Sequence, residues 1–221
     1  MITVLCASKA GTPPRHLDNL GPHTLITSTT AGWGRASNEL LDQAAALDWD
    51  VVFADDDTAF TEQSMAGVNA YYDQADVFGF DLHIPNRGRQ GGARHILSAT
   101  GHMDEWNAPG PAYVAHCSTS AIYLKAAVVK AVRFPEWDDG VHCEDVVFTV
   151  RAWLAGFRVM AVPGLVWHNL TMAGVGQTKV HDPLLWERRG LNGQRLDEYL
   201  HSEEVLAALA DGRVPVGAVE L

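Results

Sequence analysis

The chain has 221 residues, 47% of them hydrophobic and 19% charged, with a formal net charge of −11. That composition describes an ordinary globular domain, large enough to bury a core without disulfide staples, and no apolar run approaches the roughly 20 residues that span a bilayer. The acidic balance excludes broad, sequence-independent binding to nucleic acid, which needs basic surface.

The opening stretch, MITVLCASKAGTPP, has neither the basic lead nor the apolar length of a secretory signal, and Ile2 to Cys6 reads as a first core strand. The expectation is a cytoplasmic protein whose three cysteines, Cys6, Cys117 and Cys143, are reduced thiols. The sequon Asn169-Leu170-Thr171 then reads as a chance match. HTLIT from His23 is a second strand, and SNELLDQAAAL from Ser37 is a helix with Leu40, Leu41, Ala44, Ala45 and Leu47 on one side, capped by Ser37 or Asn38. DVVFADDD follows as a buried strand ending in three carboxylates. A second helix is expected from about Thr61 to Asp73, and ADVFGFDL is the next strand. This alternation predicts an α/β domain with a mostly parallel central sheet and helices on both faces.

The rhythm breaks from His83 to Pro111, a stretch with Pro85, Gly88, Gly91, Gly92, clustered Arg87, Arg89 and Arg94, and Trp106. A segment of that length without periodicity is usually functional. Strand and helix signals resume with AYVAH, AIYLKAAVVKAV and HCEDVVFTVRAWLAG, where Gly156 is the expected stop of a helix. FRVMAVPGLVWHN supplies the last strand pieces. From Leu170 the chain turns polar and glycine-rich before a final helix near Glu203 to Ala210.

Two constellations carry chemistry. Asp55, Asp56 and Asp57 sit at the carboxyl end of a strand, where ligands bind in open α/β sheets. Adjacent carboxylates repel, and a hard divalent ion held by carboxylates and substrate phosphates relieves that. Taken alone, the triplet also fits a solvated acidic turn. Glu144 and Asp145 occupy the first turn of a helix, where the dipole favours ionised carboxylates and where one can act as a general base. Alone, the pair also fits capping chemistry, and His168 after GLVW also fits an exposed residue.

The order strand-DxD, loop-rich middle, Glu-Asp on a helix, then glycine, strand and histidine resembles the GT-A glycosyltransferases, above all their family 2 group, from about Ile2 to Asn169. GWGRASNELLDQAA is similar to the glycine-to-asparagine helix that precedes the DxD strand in that family, with Asn38 at its asparagine. The resemblance implies a single GT-A core over residues 1–169, with 83–111 on the acceptor side and 170–221 as a lid or tail. It implies a nucleoside-diphosphate sugar as donor, a divalent metal (Mn2+ or Mg2+) as cofactor, and a hydroxyl-bearing acceptor: glycan, small molecule, protein or modified nucleobase. On the donor side it places Ala7, Ser8, Arg35 and Asn38 at the nucleotide, Asp55 at the ribose and Asp56 nearby. Asp57 and His168 become metal ligands, Asp145 the base, and Glu144 the residue that orients the acceptor. A placed base implies inversion by single displacement. The chain departs from the family after the second strand, where ITSTTAG replaces an Asp-rich turn that reads the nucleobase, leaving Ser28 and Thr29 there.

Three rivals remain at this level. GWGRAS is a near-miss to GxGxxG and suggests a Rossmann-type enzyme using NAD or S-adenosylmethionine, although it follows the second strand instead of the first. His116, His142 and His168 with Asp57 suggest a metallohydrolase, against which stands the lack of HExxH or HxH. A sugar- or nucleotide-binding module is the third. Trp106 and Trp137 are open to stacking on a sugar or to core packing, and Lys179, Arg188 and Arg189 to closing over a diphosphate.

Overall fold

The computed structural model describes residues 2–7, 13–30, 32–84, 88–89, 94–106, 110–137, 143–167 and 183–221, with backbone only at 84, 88–89 and 183–189. Ser8, His142 and His168 lie outside these residues.

β1 (Ile2–Ala7) pairs in parallel with β2 (His23–Ser28) on one side and with β3 (Val51–Ala54) on the other. β5 (Val77–Ile84) and β11 (Val159–Trp167) pair in parallel with each other. Between the two parallel groups runs β10 (Ala121–Leu124), antiparallel to both β3 and β5. Five long strands therefore point one way and β10 points against them. The far edge is completed by β9 (Ala112–Tyr113) on β11 and by β12 (Val219–Glu220) on β9; β4 (Ala59–Phe60) adds to β11 and β6 (Gly88–Arg89) to β5.

Alternation along the strands sends side chains to both faces, and both are covered. Leu5, Val51, Phe53, Ile122 and Leu124 meet Leu40, Leu41 and Ala44 of α1 (Trp33–Ala45), Val128 and Val129 of α3 (Ala126–Ala131), and Phe148 and Ala152 of α4 (Glu144–Leu154). Val4, Val52, Phe78, Phe80 and Met160 face the other way, toward Val68 of α2 (Ala66–Tyr71). Burial on both faces is why these strands read as continuous apolar runs. A third cluster joins Val146, Val147 and Val150 of α4 to Leu196 and Leu200 of α5 (Pro183–Leu200) and to Val205 and Leu209 of α6 (Glu203–Ala210).

Several elements depart from expectation. α1 starts at Trp33 with Gly32 as its N-cap, at φ 88°, so Ser37 and Asn38 cap nothing and sit buried inside the helix. A left-handed φ is open to glycine and costs other residues. The second helix is shorter than predicted: the chain turns through 62–65, forms α2, and continues as a 3-10 turn at Tyr72–Gln74. The irregular stretch holds a hairpin, β7 (His95–Leu97) with β8 (Met103–Glu105). α5 was not foreseen at all. Gly156, at φ 88°, ends α4 as expected.

Trp106 is 8% exposed within the core and has the Arg94 guanidinium 5.7 Å from its ring, so it is a core residue and not a sugar platform. All three cysteines are free thiols, and no described helix is long and apolar enough to cross a membrane.

Candidate functional site

The carboxyl ends of β1, β2 and β3 and the amino end of β10 share one edge of the sheet. Ala7 at the end of β1 is level with Ser28 at the end of β2. β10 begins beside β3, with Ala121 opposite Ala54, so the chain just before it meets the acidic turn. The Asp55 N–H donates to the Ser120 carbonyl at 3.1 Å, and the Thr58 hydroxyl donates to the same oxygen at 2.8 Å. The turn closes on itself through Thr58 N–H to the Asp55 carbonyl at 3.1 Å.

The acidic turn acts on the end of β1. The Cys6 thiol is pushed up to about 12, first by burial and then by the charges of Asp56, Asp55 and Asp57. Three carboxylates thus act on the end of β1, and carboxylate oxygens are the ligand type that a hard divalent ion takes together with phosphate oxygens. Among the described residues no group of three His, Cys, Asp or Glu side chains is gathered to hold a metal ion by itself. β4 pairs with β11 so that Ala59 faces Trp167, which brings the end of β11 to within two residues of Asp57 along the chain.

α4 delivers the second constellation to the same place. Asp55, Glu144 and Asp145 line one cleft of about 130 Å³ with Trp33, Thr119, Ser120 and Cys143. Glu144 is 1% exposed in the first turn of the helix. Asp145 Oδ1 accepts from the Val146 N–H at 3.0 Å, and its Oδ2 lies 3.6 Å from His116 Nε2. Cys143, the residue before the helix, holds φ at 76°. A non-glycine residue in that region stores strain, as residues at working sites often do.

The remaining donor-side residues divide. Arg35 is exposed on the first turn of α1. Asn38 points inward: its amide donates to the Phe134 carbonyl and to Glu136 Oε1, both at 3.1 Å, and accepts from the Phe134 N–H at 2.8 Å. Its amide thus clamps α1 to residues 134–136. At the end of β2, the Ser28 and Thr30 hydroxyls both donate to Glu39 of α1, at 2.9 and 2.6 Å, which holds the Glu39 carboxyl below its ordinary range.

Sequence reasoning passed over Trp33, Thr119 and Ser120 as cleft residues. It also named His116 only as a zinc ligand beside Asp57, whereas His116 faces Asp145. No periodicity marks such residues; only the register of β10 on β3 brings 119–120 to the acidic turn. A larger cleft of about 500 Å³ lies at the other end of α4, lined by Arg133, Arg151, Tyr199 and Glu204. It holds none of the convergent carboxylates, and chemistry outweighs volume in locating a site.

By sequence, no protein-family model and no curated protein matches this chain. Solved structures do match. A197 from STIV aligns at TM-score 0.53 and 16% identity, over 73% of this chain and 81% of that one. S. aureus TarS 1-349 in complex with UDP-GlcNAc aligns at 0.51 and 15%, over 95% and 72%. GalNAc-T7 with UDP, GalNAc and Mn2+ aligns at 0.53 and 11%, over 76% of this chain and 43% of that one, so the chain spans less than half of GalNAc-T7. At these identities the likeness establishes the fold, which is the GT-A type expected from the order of motifs.

Proposed function

We propose that this protein is a metal-dependent glycosyltransferase that moves a sugar from a nucleoside diphosphate to a hydroxyl acceptor with inversion. The observation that carries the reading is the meeting of Asp55, Glu144 and Asp145 in one cleft at the carboxyl edge of a GT-A-type sheet. Support comes from two structural neighbours, whose structures hold UDP-GlcNAc in one case and UDP, GalNAc and Mn2+ in the other.

Asp55 and Asp56 bind the ribose side of the donor, with Ala7, Ser8 and Arg35 around the nucleotide. Asn38 serves that side by fixing α1. Asp57 and His168 would hold a divalent ion, which would supply Lewis-acid stabilisation of the departing diphosphate. Asp145 accepts the proton of the acceptor hydroxyl as that oxygen attacks the anomeric carbon from the face opposite the leaving group. The new C–O bond forms as the bond to the diphosphate breaks, and the sugar is inverted. Glu144, fixed by burial, orients the acceptor. Residues 1–169 form the catalytic core, and 170–221 follow it as a lid or tail.

The test is a thermal-shift screen of nucleotide sugars with and without Mn2+, on the wild type and on Asp57→Ala. A ligand at about 100 times its dissociation constant adds roughly 2.7 kcal/mol, or about 5–10 °C for a chain of this size. The expected result is one nucleotide sugar that stabilises the wild type with metal and leaves Asp57→Ala unmoved. Stabilisation by NAD or S-adenosylmethionine without metal overturns the reading.

A further inference from the structure

The cleft of about 130 Å³ is lined by two residues that the transfer mechanism above leaves idle, Trp33 and Thr119. Trp33 opens α1 directly after Gly32 and is half-buried. Phe134 meets its ring at 4.9 Å and 84°, and Phe53 lies at 5.8 Å and 60°. Both phenylalanines belong to the core, so the indole is wedged from behind while part of its surface lines the cleft. Its N–H has no acceptor among the described residues.

Thr119 is the stronger signal. It is 2% exposed and lines the same cleft, yet its hydroxyl makes no hydrogen bond among the described residues. The serines on either side are engaged with each other: Ser118 Oγ donates to Ser120 Oγ and accepts from the Ser120 N–H, both at 3.2 Å. The Thr3 and Ser37 hydroxyls also lack partners, but they are sealed in the core, whereas Thr119 opens on a cleft. Most buried polar side chains have a partner, and one left over at a cleft points to a ligand.

The chemistry of that ligand follows from the rest of the lining. Asp55, Glu144 and Asp145 supply carboxylate oxygens, which accept hydrogen bonds; Thr119 and the Trp33 indole supply hydrogens. A hydroxyl both donates and accepts, so a ring bearing several of them answers both kinds of group at once. The indole adds an apolar wall for C–H surface. Hydroxyls around the rim of a ring with an apolar face describe a pyranose. A lipid chain would set carbon against three carboxylates, and a nucleobase brings few hydrogens, all in its ring plane.

We infer that Trp33 and Thr119 select a pyranose ring, packed on the indole with one hydroxyl bonded to Thr119, and that this ring belongs to the acceptor. The second half rests on the reading of Asp145 as the base. Asp145 and Trp33 share one cleft, so the ring on Trp33 is the one whose hydroxyl comes within reach of the base. The hydroxyl acceptor is then a carbohydrate.

The test is NMR of the free protein, reading the Trp33 indole N–H (the peak missing from Trp33→Phe) and saturation transfer to the added ligand. The probes are methyl pyranosides of glucose, galactose, mannose and N-acetylglucosamine, with sorbitol as a linear polyol and uridine as a nucleoside. At least one pyranoside is expected to bind and to move the Trp33 peak, and sorbitol and uridine are expected to leave it in place. Trp33→Ala is expected to weaken that binding about tenfold, and Thr119→Val about fivefold. Thr119→Val also separates a ligand contact from a structural one. A hydroxyl without a partner contributes nothing to the fold, so the melting temperature holds or rises while binding falls. If Trp33→Ala does not fold, Trp33→Phe replaces it, with an expected loss of about threefold for the missing N–H. No response of the Trp33 peak to any pyranoside, a response to uridine in its place, or unchanged binding in Thr119→Val overturns the proposal. Adding the nucleotide sugar that stabilises the protein, with Mn2+, assigns the ring: a pyranoside that stays bound is the acceptor, and one that is displaced overturns that half. The pyranoside readings need no donor, so a failure of the transferase reading shows separately, as a protein that no nucleotide sugar stabilises.

Discussion

Asp81 and Asp145 are carboxylates set on the same sheet-and-helix frame in opposite ways. Asp81 sits within β5, 4% exposed, with the Arg94 guanidinium 2.7 Å from its Oδ1. The same guanidinium donates to the Val162 carbonyl at 2.9 Å, where the β5–β11 register shifts between Ala161 and Leu165. Arg94 thus neutralises a buried charge and satisfies backbone that the irregular ladder leaves over. Asp145 stands at the mouth of a helix N-terminus, its side chain 24% exposed and facing a cleft shared with Asp55. A carboxylate in mid-strand is answered by a cation and serves the fold; one at the carboxyl edge stands at a helix end and faces a cleft. The comparison teaches that place in the frame, more than burial alone, separates the structural charge from the one proposed for catalysis.

The sharpest way to break this comparison is Asp145→Asn, an isosteric change. It is expected to lower turnover by about 10³-fold, or ~4 kcal/mol of barrier, with an unchanged melting temperature. Steady-state kinetics and calorimetry on one preparation check both halves. Arg94→Met is the mirror experiment. It removes the cation beside buried Asp81 and is expected to cost about 3 kcal/mol of stability by denaturant titration, most of it recovered in the Asp81→Leu/Arg94→Met double variant. Asn38→Ala removes the clamp on residues 134–136 and is expected to cost about 2 kcal/mol in the same assay. The smallest effect has the opposite sign. Cys143→Gly relieves the positive φ before α4 and is expected to raise stability by up to about 1 kcal/mol, read as a higher melting temperature.

Much of the frame was legible in the amino-acid order. β1, β3 and β5 declare themselves as apolar runs because both faces of the sheet are covered. α4 announces both ends, with Glu144 and Asp145 in its first turn and Gly156 as its stop. What the order hides is set by tertiary contacts. Ser37 and Asn38 carry the chemistry of an N-cap, yet the pull of Phe134 and Glu136 on the Asn38 amide turns them inward and moves the cap to Gly32. α5 contains Gly190 and Gly193 and reads as a loop, while Leu196 and Leu200 fix it against α4. The direction of β10 has no signature in AIYL. That direction brings Ser120 to Asp55, so the cleft walls could not be read even though their carboxylates could. His116 was hidden for the same reason: its partner Asp145 is distant in sequence and is reached only through the fold.

The most direct test of the account separates binding from chemistry at this edge. It is isothermal titration of the stabilising nucleotide sugar, in the presence of Mn2+, into the wild type, Asp57→Ala and Asp145→Asn. The account predicts that the wild type and Asp145→Asn bind with similar affinity, because Asp145 acts on the acceptor, and that Asp57→Ala loses binding. Equal affinity in Asp57→Ala, or loss of binding in Asp145→Asn alone, would contradict the assignment of the acidic turn to the donor and of the helix end to the base.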